Sequence, residues 1–174
     1  LLWSLLALVV VSTIAAGVLW LIARPAMGKP VEGARLARVE RSPQWQDGQF
    51  RNRLPRVDAA AGRAMREYFF GGSEFREPTA PVAVVRRSAS DYATPPASGL
   101  RITWLGHSTL LLEIDGRRVL VDPVWGDRAS PLSFLGPKRF YAPLLALDEL
   151  PSLDAVVISH DHYDHLDVPT VKAL

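Results

Sequence analysis

The feature that most constrains the fold is a short apolar run that ends directly in a cluster of histidines and aspartates. Residues 155–159 follow a turn signal at 150–152, and an uninterrupted apolar run of this length predicts a strand buried on both faces. Residues 160–167 then hold three of the four histidines in the chain. Because ligands of layered α/β folds collect beyond the carboxyl ends of strands, this arrangement predicts an α/β fold with a site at that edge.

The residue types in this cluster are those that bind first-row divalent metals. His160, His162 and His165 offer nitrogen ligands, and Asp164 offers an oxygen between two of them. Side chains two residues apart on a loop can converge on one ion, while the last two residues of the set can turn toward a second. Two ions roughly 3.5 to 4 Å apart can bind both reacting oxygens of a displacement. The alternative is a polar loop with scattered surface histidines, which the scarcity of histidine elsewhere disfavours.

A β-hairpin is predicted upstream of the cluster. Residues 101–103 and 109–114 are rich in aliphatic and β-branched side chains, Asp115-Gly116 is a type I′ turn signal, and residues 117–121 form the returning strand. Residues 122–143 contain four prolines and predict a long loop that walls the site.

Two single residues near these elements carry separate predictions. Gly106 interrupts a strand-like run, which predicts a bulge, and we interpret the following His107 as a structural histidine rather than a ligand. Asp167, with Pro169 two residues later, predicts the N-cap of a helix.

The amino-terminal segment predicts a membrane helix. Residues 1–23 have no charged side chain and match the roughly 20 residues needed to cross a bilayer. Trp3 and Trp20 would lie about 26 Å apart at the helical rise, near the two interfaces. A cleaved signal peptide is the alternative, but its apolar region usually has only about 7 to 15 residues. We therefore predict a single-pass anchor.

Residues 24–99 predict a basic juxtamembrane and connecting region. Ten basic and four acidic residues lie between positions 24 and 66, a balance that favours contact with anionic head groups, although a solvated linker has the same composition. Which membrane face the region occupies stays open. A short helix is predicted at 59–70, ended by Gly71-Gly72, and an extended connection at 78–98. The arginines lack interleaved aromatics, so no nucleic-acid partner is expected.

Several motifs together resemble a known family. The pattern His-x-His-x-Asp-His at 160–165 resembles the signature of the metallo-β-lactamase-fold hydrolases. Four further stretches resemble N-acylphosphatidylethanolamine-hydrolysing phospholipases D within that fold, and the likeness covers residues 100–174 well and 40–99 faintly. These stretches are residues 103–109, 121–125, 128–131 and 136–140.

The resemblance implies a fold and a set of site residues. The fold is an αββα sandwich, with residues 100–174 as the N-terminal part of the hydrolase domain and one transmembrane helix before it. The cofactor is a pair of divalent ions, zinc first, with manganese and iron also compatible. His160 and His162 would bind one ion, and Asp164 and His165 the other. Asp164 would also orient the bridging hydroxide. Asp122 would support a metal-binding histidine, so Asp164 and Asp122 are the predicted catalytic residues.

The function implied is a membrane-anchored phosphodiesterase of the phospholipase D type, acting on N-acylphosphatidylethanolamine in the lipid bilayer. One alternative is a hydrolase of the same fold with a lactone, sugar phosphate or nucleic acid as substrate. Another is a non-catalytic, membrane-tethered metal-binding or scaffolding protein. Since a two-metal centre needs more ligands than these four, we expect the others beyond Leu174, and we expect residues 1–174 alone to bind metal weakly without turnover. Absent cysteines exclude thiolate ligands and disulfides, and the oligomeric state stays open.

Overall fold

The structure is a computed structural model that describes residues 2–55, 60–72 and 75–174. It divides into two compact units, one formed by Gly28–Glu77 and the other by Leu1–Met27 with Pro78–Leu174. The first helix, α1, spans Leu2–Ala23 and continues into a 3₁₀ turn at Arg24–Ala26. By length and composition this segment can cross a membrane, and no residue of its most apolar stretch is buried. The predicted apolar helix is therefore present.

The unit Gly28–Glu77 contains two helices and a small hairpin. Helix α2 spans Gly33–Val39, strands β1 (Trp45–Gln46) and β2 (Gln49–Phe50) pair antiparallel, and helix α3 spans Ala61–Phe70. Helix α3 ends at Phe70, directly before Gly71, as predicted. The predicted start at residue 59 lies outside the described residues. The polar, arginine-rich sequence before α3 did not predict α2 or the hairpin, because neither shows a clear apolar periodicity.

The other unit is organised around a four-stranded mixed sheet. Strand β3 spans Leu100–Gly106, β4 Thr109–Ile114, β5 Arg117–Val121 and β6 Ala155–Val157, in the order β3-β4-β5-β6. The first three strands are antiparallel, and β6 runs parallel to β5. The turn between β4 and β5 has φ of 47° at Asp115 and 78° at Gly116, as a type I′ turn requires. Helix α4 (Val168–Ala173) follows β6. The predicted α/β class and hairpin are confirmed.

Strand β6 differs from its prediction. It has three residues, where the apolar run predicted five, and it is exposed, with Val156 41% and Val157 47% accessible. The prediction of burial on both faces is therefore wrong for this structure. The reason is position, because β6 is the edge strand and pairs only with β5 among the described strands.

The core lies on one face of the sheet. Leu111 and Leu120 are fully buried there, against loop residues that include Tyr92 and Leu145. The opposite face is apolar and open, with Ile102 59% and Trp104 55% exposed. The segment before β3 and the loop between β5 and β6 therefore supply the second layer of the core.

A row of charged side chains, with a buried glutamate at its centre, crosses the core face of the sheet. Arg101 on β3, Glu113 on β4 and Arg118 on β5 lie directly opposite one another. The Glu113 carboxylate, 4% exposed, accepts hydrogen bonds from Arg101 Nε and, at 3.3 Å, from Arg118 Nε. Burial alone would raise the pKa of Glu113, but the two guanidinium groups outweigh it and hold the pKa below its ordinary value.

We expect Glu113→Gln to lower the melting temperature of the full-length protein at neutral pH. Breaking a buried ion pair costs roughly 3 to 5 kcal/mol of unfolding free energy. The partial exposure of both arginines reduces this cost to about 2 kcal/mol. Since the folded pKa of Glu113 lies below its ordinary 4.5, the stabilisation is full above that pH and is lost as pH falls through the folded value. Thermal unfolding measured from neutral to acid pH should therefore show that the difference in melting temperature between wild type and Glu113→Gln shrinks. A constant difference, or an equal loss in the exposed control Glu149→Gln, would contradict the assignment.

Candidate metal centre

The backbone around Asp122 places this residue at the carboxyl end of β5. Its φ of 45° is left-handed, and its N–H donates to the Val157 carbonyl at 2.9 Å. Its own carbonyl accepts a hydrogen bond from Thr109 Oγ1 at 2.8 Å, and the same hydroxyl accepts from the Val124 N–H at 3.2 Å. Thr109, which the sequence did not single out, thus fixes the chain as it leaves the strand.

The Asp122 carboxylate is 5% exposed and fully hydrogen-bonded. One oxygen accepts from the Ser159 N–H at 2.7 Å; the other accepts from Ser159 Oγ and from His165 Nδ1, each at 2.8 Å. Burial would raise the pKa of Asp122, but the hydrogen bonds from His165 and Ser159 outweigh it and lower the pKa. The carboxylate is therefore ionised at neutral pH, and it fixes the hydrogen of His165 on Nδ1. The Nε2 lone pair of His165 is left free for a ligand.

Ser159 extends this arrangement to a second histidine. Its hydroxyl donates to Asp122 and lies 2.9 Å from His160 Nδ1, from which it can accept a hydrogen bond. The ring centroid of His160 lies 4.0 Å from that of His165 and 4.5 Å from that of His162. The rings of the three cluster histidines therefore lie close together. Ser159 was missed by the sequence analysis, and its only signal was its place between the strand and the first histidine.

Asp164 faces His165 from the turn that closes the cluster. Its Oδ2 lies 3.7 Å from His165 Nε2 and 2.8 Å from His107 Nε2. Burial would raise the pKa of Asp164, but the hydrogen bond with His107, a backbone hydrogen bond and the charges of His165 and His107 together outweigh it and lower the pKa. His107, expected to be a structural histidine, instead contacts a predicted metal ligand, with its side chain 55% exposed. The bulge predicted at Gly106 is present and brings it there.

The donor set fits a divalent metal ion. Nitrogen and oxygen atoms of His107, Asp164 and His165 lie within 4.8 Å of one another. Imidazole and carboxylate accept zinc, manganese and iron alike. Divalent-metal binding therefore suits these residues, while the assignment of His160, His162, Asp164 and His165 as ligands, and of Asp122 as their support, stays a prediction.

The loop after β5 walls the centre, as predicted. Arg139 holds it from inside, with Nε donating to the Gly126 carbonyl at 2.9 Å and a terminal nitrogen donating to the Val124 carbonyl. Burial lowers the pKa of Arg139. The predicted helix N-cap, Asp167, accepts a hydrogen bond from the Gly126 N–H at 2.9 Å. This hydrogen bond connects the loop to the start of α4 beside the histidines.

A largely apolar cavity of about 620 Å³ opens between this loop and the centre. Asp164 and His107 form one part of its wall. Its other lining side chains include Val82, Trp104, Val124, Lys138, Phe140 and Tyr141. Of the loop aromatics, Trp125 and Tyr141 pack against the core, whereas Phe134 and Phe140 are each 58% exposed.

Fold and site thus define an α/β domain with a candidate divalent-metal centre beyond its strands. Residues 117–174 match the family described as the beta-lactamase superfamily domain. This part of the chain is therefore similar to a beta-lactamase superfamily domain, and the fold class predicted from the motifs is confirmed. The predicted start of this domain at residue 100 stays a prediction.

The relatives agree with the resemblance in the sequence. The chain is 43% identical over 172 residues to an uncharacterised protein of Mycobacterium tuberculosis, covering 94% of this chain and 45% of the relative. It is 56% identical over 77 residues to N-acyl-phosphatidylethanolamine-hydrolyzing phospholipase D 1 of Caenorhabditis elegans, covering 44% of this chain and 22% of the relative. A UPF0173 metal-dependent hydrolase of Aeropyrum pernix is 36% identical over 74 residues, covering 42% and 25%. The chain spans less than half the length of each of these relatives.

Proposed function

We propose that the full-length protein is a membrane-anchored, metal-dependent phosphodiesterase that cleaves N-acylphosphatidylethanolamine-type phospholipids. The observation that carries the proposal is the convergence of His165 Nε2 and Asp164 Oδ2, 3.7 Å apart, with the buried Asp122 behind His165. When bound, divalent ions would supply Lewis acidity and an activated water. The names of two relatives, a metal-dependent hydrolase and a phospholipase D, support this reaction class.

The residues of this chain would contribute binding and orientation. Asp122 and Ser159 fix the ring hydrogens of His165 and His160 on Nδ1. Each Nε2 lone pair is then available for an ion, because the other tautomer is disfavoured. Asp164, ionised at neutral pH, offers an oxygen ligand to the same ion as His165. His162 would complete the cluster from the same loop.

The cavity beside Asp164 supports a lipid substrate. Its apolar lining suits an acyl chain, and the exposed Lys138 at its wall suits an anionic phosphate. A phospholipid would bury apolar area against Trp104 and Phe140.

A substrate panel tests the proposal. Full-length protein loaded with zinc should release N-acylethanolamine and phosphatidic acid from N-acylphosphatidylethanolamine in mixed micelles. Hydrolysis of lactones or simple phosphodiesters with the phospholipid left intact would reject the lipid assignment and leave a hydrolase of another substrate. Failure to hydrolyse any of these compounds, with metal bound, would favour the metal-binding or scaffolding alternative.

The apolar helix is proposed as an uncleaved anchor. Its side chains are exposed along its length, unlike those of a core helix, and Arg24 lies 5.3 Å from the ring centroid of Trp20 at its end, a pair suited to a membrane interface. The Thr13 hydroxyl donates to the Val9 carbonyl at 2.8 Å, so it does not add an unpaired donor to an apolar surface.

We expect the full-length protein to stay in the membrane pellet after alkaline carbonate extraction. Deletion of residues 2–23 should move most of the protein to the supernatant, because about 20 apolar residues are what hold a single-pass protein in a bilayer. Mass spectrometry of the intact protein provides the second measurement. Loss of the segment from the mature protein would identify a signal peptide and contradict the anchor.

A further inference from the structure

We infer that His107 and Ser108, on the two-residue turn between β3 and β4, are positioning residues that hold Asp164 in place for the metal centre. The inference rests on the proposed function and adds to it a pair of residues that are more than fifty positions away in sequence. His107 Nε2–H donates to Asp164 Oδ2 at 2.8 Å, and Ser108 Oγ donates to the Asp164 main-chain carbonyl at 2.5 Å. Side chain and backbone of Asp164 are thus both held by neighbouring residues of one turn.

A bulge near the end of β3 and the turn that follows it together present this pair. The register of β3 and β4 shifts between Trp104 and Gly106, and the chain then passes through φ of 114° at Gly106 and 48° at His107. A Cβ at Gly106 would lie 3.3 Å from the Tyr141 ring, so the close approach of the loop also favours glycine. Trp104 Nε1 donates to the His107 carbonyl at 2.7 Å. A left-handed histidine fixed by such contacts is the kind of strain that structures keep at functional sites.

The distance distinguishes a hydrogen-bond donor from a metal ligand. Two ligand atoms on one tetrahedral zinc, each about 2.0 to 2.1 Å from the ion, lie roughly 3.3 Å apart. The Asp164 to His165 separation of 3.7 Å is close to that spacing, whereas the 2.8 Å between Asp164 and His107 is a hydrogen-bond distance. A carboxylate oxygen has two lone pairs, so Oδ2 can accept from His107 and still face an ion shared with His165.

The pair has a further consequence for the loop that carries Asp164. Residues 160–165 connect an exposed three-residue strand to a short helix, so the strand alone gives Asp164 little restraint. The turn at His107 and Ser108 joins β3 to β4, and both strands contribute to the buried core of the sheet. Contact with His107 and Ser108 therefore couples a loop residue to two strands that are anchored in the buried core.

Two substitutions at His107 separate the side-chain donor from the backbone. In full-length protein, His107→Asn keeps a residue that tolerates left-handed φ, but its amide is too short to reach Asp164. His107→Gln tolerates that φ less well, but its amide can donate near the position of Nε2. We expect His107→Asn to weaken binding of the more weakly held zinc by about tenfold and to lower kcat by a larger factor than it changes KM. His107→Gln should recover most of the lost zinc affinity and most of the lost kcat. Zinc affinity is measured by competition with a chromophoric chelator, and the visible spectrum of the Co²⁺ form reports the ligand field.

Asp115 provides the matched backbone control, because its φ of 47° equals that of His107 within a degree and its side chain is exposed. Asp115→Asn and Asp115→Gln measure the cost of the two amides at a left-handed position without the Asp164 contact. A wild-type metal affinity in His107→Asn, or a ranking of the His107 variants that copies the Asp115 ranking, would overturn the inference. Loss of one whole zinc per chain in both His107 variants would also overturn it, by making His107 a ligand. A wild-type protein that binds no divalent metal would instead reject the proposed function itself.

Discussion

Asp164→Asn in the full-length protein is expected to reduce phospholipid hydrolysis by at least about 10³-fold. Divalent ions supply several kcal/mol of transition-state stabilisation, and about 4 kcal/mol corresponds to roughly three orders of magnitude. The carboxylate that faces His165 Nε2 at 3.7 Å is the oxygen ligand available beside that nitrogen. An amide keeps the size and one oxygen but loses the negative charge, and its NH₂ group would repel the His107 donor at 2.8 Å in one of its two orientations.

Initial rates on N-acylphosphatidylethanolamine micelles and metal content per chain are the measurements. The matched control is Asp161→Asn, three positions earlier on the same loop, whose exposed carboxylate makes no hydrogen bond or ion pair with the residues described here. We expect the control to retain wild-type rates within about twofold, as substitutions at unpartnered surface positions usually do. Equal losses in the two variants would indicate a general charge effect of the loop, and a fully active Asp164→Asn would remove Asp164 from the reaction.

Asp122→Asn is expected to weaken zinc binding by about 100-fold and to lower activity with it. Substitution of a carboxylate that orients a metal-binding histidine typically costs 10- to 100-fold, and Asp122 acts on His165 directly and on His160 through Ser159. The upper end of that range applies because the variant also loses a charge that accepts three hydrogen bonds in a 5%-exposed position. An asparagine NH₂ would face either the Ser159 N–H or the Ser159 hydroxyl and His165, so one donor would meet another.

Chelator competition measures the affinity, and thermal unfolding of the metal-free protein separates folding from binding. We expect the metal-free variant to lose about 1 to 3 kcal/mol of unfolding free energy from its unsatisfied donors. Asp115→Asn is the control, since it exchanges the same side chains at an exposed turn where asparagine suits the left-handed backbone. A metal affinity within a factor of two of wild type would show that Asp122 supports the strand end alone.

Local sequence signals predicted most of the fold around the site. The hairpin β4–β5 follows from strands rich in aliphatic and β-branched residues and from Asp115-Gly116, because a type I′ turn needs two residues that adopt positive φ. The start of α4 follows from Asp167 and Pro169 for an equally local reason. Burial of β6 was predicted wrongly, since the apolar run says nothing about which strands pair with it or what covers its faces.

The cluster of donors was visible in the sequence, but its supporting residues were not. His160, His162 and His165 lie within six positions, so their convergence needed only a loop. Ser159 and Thr109 are common residue types whose roles depend on hydrogen bonds to Asp122, which lies 37 and 13 positions away. No spacing rule reports such contacts.

By itself, the sequence determined the apolar helix, the hairpin, the histidine cluster and the likeness to a hydrolase family, because each depends on neighbours within a few residues or on a contiguous motif. The tertiary structure alone decided the place of His107. Its contact with Asp164 spans 57 positions and exists because the turn after β3 and the loop after β6 meet at the same end of the sheet. Strand order and register set that meeting, and they depend on long-range pairing and burial that no local pattern in this chain encodes.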